Sequence, residues 1–133
     1  MALVVPNCGE IKIAAWALDS QDLTLKLYTN DYSPVATTTT ANFTEATFTG
    51  YSAKTLSKTS WNTPTTDANG KALIVYSDAQ SWTAGSTQTI YGYYVVSAND
   101  NTLIWAEKFG VARSIASGDT LTITPQITCS SEN

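Results

Sequence analysis

Leu23, Leu25 and Leu27 alternate with Thr24, Lys26 and Tyr28, the period of two expected of a half-buried strand. Further on, residues 88–109 read QTIYGYYVVSANDNTLIWAEKF: two aromatic and β-branched runs around a polar tip, Asn99-Asp100-Asn101, which predict a long β-hairpin. Lys71 to Ser77 predicts a strand with Ala72, Ile74 and Tyr76 on one face, entered through the turn signal Asn69-Gly70. A short strand is expected around Trp82, an edge strand within Tyr51 to Lys58, and a turn or short strand over Phe43 to Thr49. Leu121, Ile123, Ile127 and Cys129 fall on one face of a final strand in which Pro125 suggests an edge or a break. Gly110 to Ser117 reads as a connector.

The N-terminal part is patterned differently. Residues 1–8 predict an extended arm, and Pro6, Asn7 and Gly9 interrupt it. Between Glu10 and Leu18 the apolar residues Ile11, Ala14, Ala15 and Leu18 suit one face of a short helix, with a strand through Ile11 and Ile13 as the alternative. Thr29 to Asn42 is a long polar loop, and loops of that length in compact domains are often functional. Trp61 to Gly70 is a second loop, and residues 130–133 form a frayed tail. The sum is seven or eight strands and at most one short helix in a single domain spanning residues 1–133. The expected class is all-β, an antiparallel β-sandwich of jelly-roll or immunoglobulin-like kind.

Composition narrows the function more than the fold. Charged residues make up 14% of the chain, against about 25% in ordinary domains, and Thr and Ser take their place. The net charge of −4 carries no basic patch, so neither a nucleic-acid partner nor a membrane-bound basic helix is expected. The N-terminus lacks a basic n-region and is interrupted by Glu10 and Lys12, which makes a poor signal peptide, so folding in the cytoplasm is expected. Cys8 and Cys129 lie near the two ends. They read either as small buried hydrophobes or as a disulfide closing a very long loop.

Catalytic chemistry finds little support. The chain has no His, which removes the commonest general base, the Ser-His and Cys-His pairs and the commonest transition-metal ligand. Glu45, Asp78 and Glu107 flank strands and are candidates for a carboxylate pair, with exposed strand-end acids as the plainer reading. Asn99, Asp100 and Asn101 offer three oxygens but in the tight tip of a hairpin, so no metal and no cofactor is expected. Trp16, Tyr32, Trp61, Trp82 and Trp105 invite a carbohydrate-binding reading. Trp61 and Trp82, being near loops, are the ones expected at the surface, where aromatics mark protein interfaces at least as often as sugar sites.

The segments ALVVPNCGEIKIAAWAL, DLTLKLYTND, FTEATFTGYSAKTL, IYGYYVVSANDNTLIWAEKF and SGDTLTITPQIT together cover most of the chain. They resemble small virion structural proteins of tailed bacteriophages, most closely capsid decoration (cement) proteins. The resemblance implies a non-enzymatic β-sandwich on the capsid surface, assembled in the host cytoplasm as a homotrimer that bridges copies of the major capsid protein. A tail or fibre protein is the neighbouring alternative, and a β-sandwich carbohydrate-binding module a more distant one. Leu3, Val4, Val5 and Pro6 of the arm, with Tyr32, Trp61 and Trp82 of the loops, are the interface candidates. The arm suits strand addition to a neighbouring subunit, with pairing inside its own sheet as the alternative, and the Thr29–Asn42 loop suits the same role from another edge.

Overall fold

A computed structural model describes residues 3–129. One helix, α1 (Asn7–Asp19), precedes nine strands: β1 (Leu23–Tyr28), β2 (Lys54–Leu56), β3 (Thr65–Thr66), β4 (Ala72–Val75), β5 (Gln80–Thr83), β6 (Gln88–Ser97), β7 (Leu103–Ile115), β8 (Thr120–Ile123) and β9 (Gln126–Cys129). They form three antiparallel sheets, ordered β2-β1-β6-β7, β3-β4-β9 and β5-β8. The fold is all-β and sandwich-like, as the alternation implies.

The alternation of β1 sets up both faces of the large sheet. Leu25 pairs with Val95 and Leu27 with Tyr93, and these side chains point inward. There they meet Leu56, Ile74, Trp82, Ile90, Leu121 and Ile123 in one core. Each fully buried aliphatic chain contributes about 1.5–3 kcal/mol. That face, rather than its own ladder, holds the two-stranded β5-β8 pair, since such a pair is marginal alone. The opposite face carries Tyr28, Tyr94 and Val96, and it too is closed, because Phe43 stacks on Tyr94 with ring centroids 4.5 Å apart. Strand β6 is therefore covered on both sides, which explains its nearly unbroken apolar run.

Several boundaries differ from expectation. The arm ends at Pro6, not at residue 8: the Pro6 carbonyl accepts Gly9 N–H at 2.8 Å and Glu10 N–H at 3.0 Å, so Asn7 and Cys8 are already helical. The helix, at 13 residues, is longer than its apolar stripe, and Ser20 Oγ donates to the Ala17 carbonyl at its far end. The hairpin does not stop at Phe109. Strand β7 runs to Ile115, and Arg113, Ser114 and Ile115 of the expected connector pair with Ile90, Thr89 and Gln88. The register slips between Ile90 and Gly92, so Phe109 to Ala112 bulge from the ladder, and that bulge hid the strand's continuity. The final strand is two strands in two sheets, because buried Pro125 breaks it. The Trp61–Gly70 loop holds β3, and Trp61 itself bridges to Tyr76. The expected frayed tail, residues 130–133, lies outside the described residues.

Candidate contact surface

The arm and α1 form one feature. Leu3 is 89% exposed and Val4 74%, while Val5 is half-buried against the first turn of the helix. Pro6, extended at φ −67° and ψ 159°, starts α1 without a side-chain cap. Alanines and Leu18 favour helix, and Glu10, Ala14 and Leu18 face the body of the protein. The other side of the helix shows Ile13 and Trp16, 51% and 62% exposed. Lys12 Nζ lies 5.6 Å from the Trp16 ring centroid, a cation–π contact one turn apart. Beside the second half of α1 an apolar groove of about 310 Å³ opens between Ile13, Ala17, Ile104, Trp105 and Cys129.

The Thr29–Asn42 loop is not a second arm. It folds back over its own sheet. Asn30 donates to the Asn42 carbonyl at 2.9 Å and accepts Thr44 N–H at 2.8 Å, while Thr39 and Asn42 close a capping box around a short 3₁₀ turn, Thr40–Asn42. Asp31 pairs with Lys108 of β7. Tyr32, an interface candidate, is half-buried edge-on to Phe43 at 5.6 Å, and its hydroxyl bonds Thr38 Oγ1 at 2.9 Å. At the loop's outer surface stands Val35, 62% exposed.

The tryptophans separate. Trp82, expected at the surface, is 2% exposed: its Nε1 donates to the Ser52 carbonyl at 2.7 Å and its ring lies in the main core. It offers no face to a ligand. Trp61 is half-buried, edge-on to Tyr76 at 5.0 Å and to Trp105 at 6.3 Å. Trp16, not among the interface candidates, is the exposed one. Its neighbours Ala15 and Ala17 gave no sign that position 16 faces outward; the helical period through Ala14 and Leu18 did contain that signal.

The acidic candidates are each engaged locally. Glu45 accepts the Tyr51 hydroxyl at 2.7 Å and lies 3.4 Å from Lys26 Nζ. Burial, reinforced by Glu45, pushes the Tyr51 phenol well above its ordinary range. Glu107 accepts the Tyr93 hydroxyl at 3.1 Å, and burial together with that carboxylate raises Tyr93 to about 12. Asp78 is exposed, with a long contact of 3.5 Å from Ser77 Oγ. At the hairpin tip Asp100 accepts Thr102 N–H at 3.1 Å, which holds its carboxyl below the usual value, and Asn101 takes a left-handed φ of 61°. No group of three or more His, Cys, Asp or Glu side chains among the described residues is placed to hold a metal. Cys8, exposed on α1, and Cys129, half-buried on β9, are both free thiols. No helix among the described residues is long and apolar enough to cross a membrane.

Comparison with family models, with curated proteins and with solved structures finds no match to this chain.

Proposed function

We propose that this protein is a non-enzymatic virion structural component that acts by contact, a capsid decoration protein that bridges major capsid subunits. The observation that carries the reading is the placement of exposed apolar side chains. Leu3, Val4, Ile13, Trp16 and Ile104 belong to the arm, to the outer side of α1 and to the margin of the groove beside it. A soluble domain keeps such surface where something covers it. Behind it stands a sheet packed on both faces, a scaffold suited to holding a contact surface rigid. The sequence resemblance to phage structural proteins supplies the partner class. Symmetric copies on a shell multiply a modest affinity for each subunit.

Antibody raised against the chain and applied to purified virions tests this. Label on heads supports decoration, label on tails moves the role to a tail or fibre component, and unlabelled particles refute both. Particles made without the protein should lose their contents sooner on heating or osmotic shock. A sugar-binding module is the second reading, and the exposed ring of Trp16 is the observation behind it. A glycan array bound by the native protein and not by Trp16→Ala would favour it, and a blank array would remove it.

A further inference from the structure

A cavity of about 240 Å³ opens where α1 meets β4 and the loop between β2 and β3. We propose that it binds an alkylguanidinium group, with the Asp19 carboxylate as the counter-charge. The inference goes beyond the capsid reading and does not rest on it.

Charge selects a cation. Ala15, Leu18 and Asp19 line the cavity together because they stand at i, i+3 and i+4 on one face of the helix. Asp19 is the last residue of α1, where the helix dipole is negative, and the last turn holds no basic residue. Neither ion pair among the described residues includes Asp19, and its carboxylate accepts no hydrogen bond from them. The chain's own cations are placed elsewhere: Lys26 and Lys108 in ion pairs, and Lys12, Lys54 and Arg113 over aromatic rings. Among the described residues, no Lys or Arg lines the cavity. Two negative features therefore coincide with no internal cation to offset them, in a chain whose net charge is already −4. An anion is repelled there, and a neutral ligand leaves the carboxylate without a counter-charge. A bare metal ion would find a single carboxylate, where calcium takes about six to eight oxygens.

Shape and surface select guanidinium among cations. Leu18 and Ile74, both buried, supply apolar surface. Trp61 forms a wall that its packing against Tyr76 and Trp105 holds in place. Its Nε1 is buried, so the indole offers the cavity carbon and not a donor. Asn62 and Thr63 add acceptor oxygens, Oδ1 and Oγ1, and neither side chain has a hydrogen-bond partner among the described residues. A guanidinium is planar and weakly hydrated, meets a carboxylate with two parallel N–H donors and stacks on aromatic rings. Its methylene stem covers aliphatic surface. An ammonium is a compact, strongly hydrated charge and gains less from such walls. The volume is below the roughly 300–1,000 Å³ of sites for drug-sized ligands, so a single side-chain-sized group fills it.

Titration of the isotopically labelled full chain with n-butylguanidinium, followed by amide shifts in NMR, tests the proposal. Shifts should cluster at residues 15–19 and 61–64 and saturate, with half-saturation on the order of 1–10 mM for a ligand of this size. n-Butylurea, neutral and of the same shape, should bind at least about 3-fold more weakly, the scale of one exposed ion pair. Asp19 is exposed, so Asp19→Asn keeps the fold. That variant should weaken the cation by the same factor and leave the urea unchanged, which separates lost charge from lost structure. The guanidinium could be carried by a free small molecule or by a protein, and N-acetylarginine amide distinguishes the two. Binding within about 3-fold of n-butylguanidinium assigns the site to an Arg side chain of another protein, and weaker binding assigns it to a free cation. Shifts that do not saturate or that fall outside the cavity, equal binding of the urea, or an Asp19→Asn chain that binds the cation like the native one overturns the proposal. Those results would leave the capsid reading standing, since labelling of virions tests it separately.

Discussion

Gly92→Ala is the sharpest test of how the large sheet is built. Gly92 lies opposite Tyr28 in the β1-β6 ladder, on the face covered by the aromatic cluster. A Cβ there would stand 2.6 Å from the Tyr28 hydroxyl oxygen and 2.7 Å from its ring, and closer still to the Glu107 backbone carbonyl. The glycine is required for space and not for backbone freedom. The alanine methyl must move a backbone or a ring packed between neighbours. Overpacking of this kind costs about 1–3 kcal/mol. A displaced Tyr28 also loses its 3.0 Å bond to the Tyr32 carbonyl, about 0.5–1.5 kcal/mol. It loses its contact with Phe43, 4.7 Å away, for a similar amount. The expected cost is about 2–6 kcal/mol. With an unfolding entropy of about 280 cal/mol/K for 133 residues, that lowers Tm by roughly 7–21 °C in calorimetry. Repeating the substitution in a Tyr28→Leu background should recover at least about 1 kcal/mol, more than the ~0.5 kcal/mol allowed for independent sites. A Tm within about 3 °C of the native value would refute the reasoning, since even the lower bound predicts about 7 °C.

Trp82→Ala should cost about 3–5 kcal/mol, while Trp16→Ala should stay within about 0.5 kcal/mol, in the same calorimetric comparison; equal effects would mean that Trp82 is not a core residue. Tyr28, Tyr93 and Tyr94 are raised to about 12, chiefly by burial, so their stabilisation is complete below the unfolded phenol value near 10 and is lost as pH rises from 10 through about 12. A fully enclosed phenol gives a slope of about 1.4 kcal/mol per pH unit, and roughly half of that is expected here after solvent screening; urea midpoints that stay flat from pH 9 to 11 would contradict it. Asn101→Val should cost about 1–2 kcal/mol at its left-handed backbone position, and Asn101→Gly should be neutral or slightly stabilising, both read from thermal midpoints.

Local periodicity made the strands legible, and long-range closure decided what it could not show. Leu23, Leu25 and Leu27 announced β1 because one face is buried and the other began as polar. Tyr28 obeys the same alternation, yet it is buried, because the loop that follows it brings Phe43, fifteen residues on, over its ring. The Thr29–Asn42 segment looked like a free loop for the same reason: its order comes from Asn30, Asn42 and Lys108, pairings invisible to composition. Trp82 misled because it stands in a short strand among polar residues. Its two neighbours, Ser81 and Thr83, face outward by the period of two, so the polarity around it was evidence of burial rather than exposure. Among the contact residues, Leu3 and Val4 were legible as an apolar run in an extended arm. Trp16 was legible only through the helical period of Ala14 and Leu18, and the groove was not legible at all, because Ile13, Ile104 and Cys129 come to line it only when α1 packs beside β4 and β9.

The sparse charge of this chain bears on how its surface selects a partner. Lys26 is paired with Glu45 and Lys108 with Asp31, so part of the small ionic complement is spent within the fold. Near the exposed apolar set, Lys12 already lies over Trp16. A contact made by Leu3, Val4, Ile13 and Ile104 is then selected by shape and by removal of apolar surface, with little electrostatic steering. Two consequences separate it from an ionic contact. Charged interfaces weaken as the Debye length falls from about 10 Å at 0.1 M salt to about 3 Å at 1 M. An apolar one holds over that range, and its formation has a negative heat-capacity change. Titration calorimetry at several temperatures and at both salt concentrations measures both. Binding that collapses at high salt, with no heat-capacity change, would place the contact on the charged residues and away from the arm and α1.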